Sequence, residues 1–514
     1  MQPRLADGLP GVRDWFANYP FICLEQKTSK AVGLRDVRLW QTVLAQMPTY
    51  LDSDGLASYF PPRDGDAQRG SDVLSAYLLA ATDEAASLNP AFALPDALRD
   101  SLARGLTAFV EGRISREFWS PRKDLDMRKI AAIEALSRHG LAPARLLASV
   151  SVTPNQWPTH TVIDWFNILR RVKDVPQREQ RLAEASQILR ARLAFQGSRL
   201  GFSTEADDAW WWMMQNGDVN AARLLLAVQD DPAWRDDLAR LAAGFIGRQQ
   251  NGAWQTTTAN LWGGLALEKF SARFESAPVT GSTRASLGAA SGSVDWARVE
   301  RAKPADTQGA PHQTTAFGAP AAPGGWRNNT MSLPWPADGA KAALAVSQVG
   351  SGKPWLTLQA LAAVPLKAPV NAGYQIRKTI TPLEQVVKGR FSRGDVLRIT
   401  LEVNASADMS WVVLSDPVPA GATVLGTGLG RDSEIATQGE RRQGNAWPAF
   451  EERSFEAFRS YYEYWPKGAM KLEYTLRLNN VGRFALPPSR VEAMYAPEMF
   501  GELPNEVVKV DAAP

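Results

Sequence analysis

The stretch Tyr19-Pro20-Phe21-Ile22-Cys23-Leu24-Glu25-Gln26 holds the single cysteine of a 514-residue chain, with a glutamine three positions on. If CLEQ enters a helix, residues at i and i+3 share one side of it, so the Cys23 thiol and the Gln26 carboxamide can meet. Attack of the sulfur on the amide carbon, with loss of ammonia, would leave an internal thioester, an acyl group on a leaving group of ordinary pKa about 8.5. Such a bond persists only where water is kept out. Trp15, Phe16, Tyr19 and Phe21 supply aromatic side chains for a dry pocket, and equally for an ordinary core. On the C-x-x-Q spacing alone the alternative is a buried free cysteine packed as a small apolar residue. Both readings stand at this point.

The rest of the composition excludes several classes. Lys and Arg number 57 against 54 Asp and Glu, without the long basic runs that track a phosphate backbone, so nucleic acid is not the expected partner. No run of about 18 apolar residues is present, and MQPRLADGLPGVRDW lacks the plan of a signal peptide. One cysteine precludes an internal disulfide and a cysteine-based metal site, and three histidines (His139, His160, His312) leave little for zinc. No cofactor and no metal are expected. The 18 tryptophans point to large packed cores.

The elements that must position Cys23 change character along the chain. Over 1–275, apolar residues recur at three and four spacing in TSKAVGLRDVRLWQTVLAQ, SDVLSAYLLAATDEAASL, PDALRDSLARGLTAFVEGR, MRKIAAIEALSRHG, HTVIDWFNILRRV, QREQRLAEASQILRARLAF, VNAARLLLAVQ and TTTANLWGGLALEKF. Three stretches, YFPPRDGDAQRGSDVLSAYLLA, GFSTEADDAWWWMM and GAWQTTTANLWGGLAL, read as a weak repeat in which aromatic residues and a turn precede a helix opened by Ser or Thr. Trp210, Trp211 and Trp212 in the second are expected in the helical core. From about 276 to 330 the period disappears into Gly/Pro/Ser-rich stretches read as loops or partly disordered connections. Beyond them KAALAVSQVGSG, KPWLTLQALAAVPL, DVLRITLEVNA, SWVVLSDPVP, KLEYTLRLNNVGRFALPPSRVEAMY and EVVKV alternate as short strands at sandwich spacing.

With those segments in place, GLPGVRDWFANYPFICLEQKTSKAVGLRD resembles the thioester segment of alpha-2-macroglobulin-like proteins, its YPF-x-CLEQ form most like the bacterial members. GSDVLSAYLLA and the W-x-T-T helix near 254–268 resemble the alpha/alpha-toroid repeats of that family's thioester domain. FSRGDVLRITLEVNASADMSWVVLSDPVPAGATVL and FEAFRSYYEYWPKGAMKLEYTLRLNNVGRFALPPSRVEAMYAPEMFGE resemble its last macroglobulin-type domain. The resemblance covers roughly 1–275 and 371–514. It implies a multidomain fold, α then β: an alpha/alpha-toroid thioester domain over 1–275, a β segment over 276–370 that completes the domain carrying the toroid, and a β-sandwich-type macroglobulin domain over 371–514.

In function the resemblance implies not an enzyme but a broad-spectrum covalent trap for proteases. Cleavage of a bait region triggers rearrangement, and a lysine amine or a hydroxyl of the attacking protease is acylated. Carried over, Cys23 is the sulfur partner and Gln26 the acyl donor, and Glu25 is either a helix-start carboxylate or a group that tunes reactivity. His160, in PTHTVIDWF, is the candidate for an acyl-imidazole relay toward hydroxyls, while His139 at a helix end is explained by the helix dipole. Without a histidine, direct attack by amines dominates. Tyr19, Phe21, Met494 and Tyr495 are the expected shield. Because the chain starts almost at the thioester, it is expected to be a carboxy-terminal fragment. Its parent is expected in the periplasm at the inner membrane, the piece itself being monomeric and not membrane-spanning. Two rivals remain: a toroid enzyme using paired carboxylates such as Asp72, Asp207 and Asp208, and an adhesive or structural β module with an inert cysteine.

Overall fold

The computed structural model describes the chain except residues 63–68, 204–208, 276, 302–325, 337–340, 359, 361–364, 427–438 and 514. His312, Asp207 and Asp208 lie outside the described residues. The chain divides into two compact units. One comprises Met1–Arg116, Asp124–Ala209 and Asn216–Ala360; the other comprises Glu117–Lys123, Trp210–Gln215 and Leu361–Pro514. No helix among the described residues is long and apolar enough to cross a membrane.

The first unit contains α1 (Pro10–Asn18), α2 (Leu24–Gly33), α3 (Val37–Gln46), α4 (Asp72–Leu88), α5 (Asp96–Val110), α6 (Leu125–Arg138), α7 (Thr159–Arg171), α8 (Arg178–Ala191), α9 (Gly217–Val228), α10 (Leu238–Ile246) and α11 (Thr257–Phe274). Short polar side chains start several of them by accepting the N–H three residues on: Asp36 from Leu39, Ser71 from Leu74, Asn216 from Val219 and Thr256 from Ala259. TSKAVGLRDVRLWQTVLAQ, continuous in its period, is two helices, because the chain turns at Gly33–Arg35 with Arg35 at φ 58°.

Packing between the helices follows a closed order. The helix α2 packs on α4, α4 on α6, α6 on α7, α7 on α9, α9 on α11, and α11 back on α2. Each of α3, α5, α8 and α10 packs against a member of that ring. Five ring helices send charged side chains into one buried network. Arg138 joins Glu134 (2.9 Å) and Glu84 (2.7 Å), Arg171 joins Glu134 (2.8 Å), Arg223 pairs with Asp164, and Lys269 pairs with Glu84. Arg138, Arg171 and Arg223 hold the Glu134 carboxyl far below the usual range against the burial that would raise it. Burial is stronger for Asp164, whose pKa is pushed up to about 6.

Two expectations for this unit change. The region 276–330 is not all loop: Ser282–Leu287 and Ala290–Asp295 form an antiparallel hairpin, and Leu344–Val349 pairs with its first strand. Gly288, at φ 58°, opens the two-residue turn. Ser, Thr, Ala and Gly dominate both hairpin strands, so pairing and packing around Ala285, Val294 and Trp296 override weak strand propensity. The middle stretch of the three-part repeat also departs from its relatives, since its helix α9 is opened by Asn216 and not by Ser or Thr.

In the second unit two antiparallel sheets share one core. One runs in the order Thr423–Val424, Gly468–Arg477, Val396–Ala405, Tyr374–Glu384, with Arg442–Gln443 also on the second of these. The other runs Phe450–Arg453, Ala457–Trp465, Met409–Pro417, Ser489–Ala493, Ala496–Leu503, Val370–Ala372. Alternate residues such as Leu397, Ile399, Leu401 and Val403 from one, and Val412, Leu414, Tyr462 and Val491 from the other, fill the space between. The buried Asp416 carboxylate takes hydrogen bonds from Lys378 (2.8 Å), Tyr474 (2.6 Å) and Ser489. Trp210–Trp212 belong to this unit and not to the helical core: Trp211 packs on the β core and stands 5.8 Å from Trp119, ring centre to ring centre. KPWLTLQALAAVPL forms no named strand among its described residues.

Candidate functional site

The helix α1 ends at Asn18, its Pro10 start and the following Pro20 confining it to nine residues. It delivers Trp15, Phe16 and Tyr19 to one place. Tyr19 stacks on Trp15 (4.5 Å between centroids) and meets Phe21 edge-on (5.3 Å), while Phe16 is fully buried. Pro20-Phe21-Ile22, in neither helix nor strand, leads into Cys23, which is the N-cap of α2 with φ −64° and ψ 166°.

At that cap Cys23 and Gln26 form a reciprocal pair. The Cys23 side chain faces the backbone N–H of Gln26, and the Cys23 backbone N–H donates to Gln26 Oε1 at 3.1 Å. A backbone N–H can only donate, so the amide atom it meets is the oxygen, and Gln26 Nε2 is turned to donate to the Tyr19 hydroxyl at 3.2 Å. Both residues are buried, Cys23 at 0% exposure and Gln26 at 1%. The carboxamide is thus held at both ends beside the only thiol. Its carbonyl is polarised by an N–H at the positive end of a helix. Such an arrangement suits acyl transfer from nitrogen to sulfur at Gln26 Cδ.

Glu25, between them, is fully buried. Its Oε1 accepts from Ser29 Oγ (2.5 Å) and its Oε2 from Thr257 Oγ1 (2.9 Å). Because Ser29 gives its proton to the carboxylate, the 2.6 Å bond between Ser29 and Tyr77 is donated by Tyr77. Burial first, and then the nearby Glu25, raise the Tyr77 pKa well above its ordinary value, so it remains a donor. Of these partners only Ser29, four residues from Glu25 on the same helix, carries a signal in the sequence. Tyr77 and Thr257 come from α4 and α11, 48 residues from Ser29 and 232 from Glu25.

The other candidates are carried by other elements of the chain. His160 stands in the first turn of α7, whose partners are α6, α8 and α9, three helices round the ring from α2 in either direction. Burial, with Arg223 and Arg192 adding, pushes its pKa down to about 3, so the imidazole is neutral at neutral pH. His139 is the C-cap of α6. Asp72, first residue of α4, is committed to Arg128 by two hydrogen bonds of 2.9 and 2.5 Å. Met494 and Tyr495 are buried in the second unit, at the turn between Ser489–Ala493 and Ala496–Leu503, with the Met494 N–H on the carbonyl of Trp411 at 2.9 Å.

Comparison with known proteins bears on the second unit first: the bacterial alpha-2-macroglobulin MG10 domain matches residues 373–498. Over that stretch the chain is similar to bacterial alpha-2-macroglobulins. An alpha-2-macroglobulin homolog of Nostoc sp. is 28% identical over 134 residues, which is 26% of this chain and 7% of that relative. Native Escherichia coli alpha-2-macroglobulin from domain MG7 to the C-terminus has the same fold, with a TM-score of 0.64 at 15% identity over 99% of this chain and 76% of that one. Salmonella alpha-2-macroglobulin reacted with methylamine aligns with a TM-score of 0.59 at 15% identity, over 99% of this chain and 31% of its own. The chain therefore spans less than a third of that Salmonella molecule and a small part of the Nostoc relative.

Proposed function

We propose that Cys23 and Gln26 close an internal thioester, and that this chain is the acylating part of a bacterial alpha-2-macroglobulin that captures proteases covalently. The observation that carries the reading is the reciprocal cap itself, a buried thiol and a buried carboxamide locked together at a helix entry with the amide oxygen on the Cys23 N–H. The closed order of the ring helices supports reading the first unit as an alpha/alpha-toroid thioester domain. In the step that forms the bond, Cys23 sulfur bonds to Gln26 Cδ, the C–N bond breaks, and the thiol proton leaves with the amide nitrogen as ammonia. In capture, a protease lysine amine attacks the same carbon and the sulfur departs as a thiol. Each chain acts once, so capture is stoichiometric. Tyr19 and Phe21 keep water from the acyl group until a trigger elsewhere in the whole protein uncovers it. The parent is placed by this reading in the periplasm, attached to the inner membrane.

Attack by amines needs no histidine, and the position of His160 across the ring favours the direct route. The engagement of Asp72 with Arg128 offers no support to acid-base catalysis there. Intact mass with and without methylamine tests the reading. A thioester makes the chain lighter by one ammonia and able to gain one methylamine, while an inert cysteine predicts neither.

A further inference from the structure

The thioester residues do not hang from α2 alone. Glu25, in the same helical turn, is a point at which three consecutive members of the ring meet: α2 through Ser29, α4 through Tyr77 and α11 through Thr257. The seam that closes the ring is α11 against α2. It is pinned near the other end of α2 by Arg35, whose Nε donates to Glu268 of α11 at 2.7 Å. The two pins differ in kind. Arg35 and Glu268 are both partly exposed, with side-chain exposures of 24% and 39%, so water can substitute for either. Glu25 is fully buried, and a carboxylate that loses a hydroxyl partner where water does not reach is destabilised, which favours a shift of its own turn of helix. Moving that turn moves Cys23 and Gln26.

We propose that Glu25 is a positioning residue that makes the reactivity of the Cys23–Gln26 pair depend on closure of the helical ring at the α11–α2 seam, with Thr257 as the seam's hydroxyl. The inference rests on the thioester reading above. Any strain that slides α11 along α2 is transmitted to the acyl carbon through the Thr257–Glu25 hydrogen bond. A trigger in the whole protein then needs to shift only one helix to change how readily an amine reaches Gln26 Cδ.

The test uses the full chain and methylamine. Thr257→Val keeps the shape and removes the hydroxyl; Thr257→Ser restores it. The expected result for Thr257→Val is either methylamine incorporation faster by about tenfold or more, or a folded chain that never loses the ammonia. In both cases Thr257→Ser returns wild-type behaviour, which a loss of packing alone would not do. Glu25→Gln, which keeps one acceptor oxygen, is the second variant should Thr257→Val not fold, and the same change is expected of it. Incorporation at the wild-type rate in the folded variants, or failure of Ser to restore it, overturns the proposal while the thioester stands. A wild-type chain of unreduced mass that takes up no methylamine refutes the thioester reading itself.

Discussion

Replacing His160 by Asn separates a structural imidazole from a chemical one. Burial holds the His160 pKa at about 3 against an ordinary 6.5, so the folded unit keeps a neutral ring while the unfolded chain accepts a proton below pH 6.5. A depressed folded value means that the contribution is fully present above the unfolded pKa and is lost as pH falls toward the folded one. Each unit is worth about 1.4 kcal/mol, so the wild type loses about 2 kcal/mol through this group alone between pH 6.5 and about pH 5. Asn cannot take up that proton. Urea unfolding of the helical unit, followed by far-UV circular dichroism at several pH values, should show a wild-type stability falling more steeply with acid than that of His160→Asn, by about 2 kcal/mol at about pH 5. The same variant should react with methylamine, and with glycerol as a hydroxyl acceptor, at wild-type rates. Equal pH slopes for the two proteins would refute the buried neutral ring. A selective loss of glycerol transfer would show that His160 relays the acyl group after all.

Asp164 works in the opposite sense. Its folded pKa is raised to about 6 from 3.8, so its contribution is present at low pH and disappears as pH rises through about 6; Asp164→Asn should flatten that part of the stability profile by about 3 kcal/mol in the same unfolding assay. Arg128→Ala would leave Asp72 buried without the guanidinium that ties α6 to α4, at a cost of about 3–5 kcal/mol in urea unfolding. Gly33→Ala would set a methyl 2.2 Å from Phe16 Cε2, a fully buried ring that must shift; thermal melts should show a loss of about 1–3 kcal/mol, and a value near zero would mean that α1 yields freely.

Much of the site was legible because its signals are local. The i, i+3 relation of Cys23 and Gln26, the aromatic run before them and the hydroxyl caps Ser71 and Thr256 all act within a turn or two of chain. The hydroxyls that hold Glu25 were not legible, since Tyr77 and Thr257 reach it only when the ring closes, and neither residue type announces a partner in another helix. The Ser- and Gly-rich hairpin at 282–295 was missed for a related reason: its strands are weak formers stabilised by the neighbouring strand Leu344–Val349 and by Trp296. The helices α1 and α10 also escaped, each only nine residues long and so offering barely two turns of periodicity. Trp210–Trp212 read as helical core because tryptophan signals burial without saying in which core.

The most direct measurement is the accurate mass of the untreated chain, paired with alkylation of its cysteine before and after methylamine. The account predicts a native chain short by one ammonia and unreactive toward alkylating reagent, which then gains one methylamine at Gln26 and one alkyl group at Cys23. A native chain of full mass, with an intact Gln26 amide and no uptake of methylamine, would contradict it.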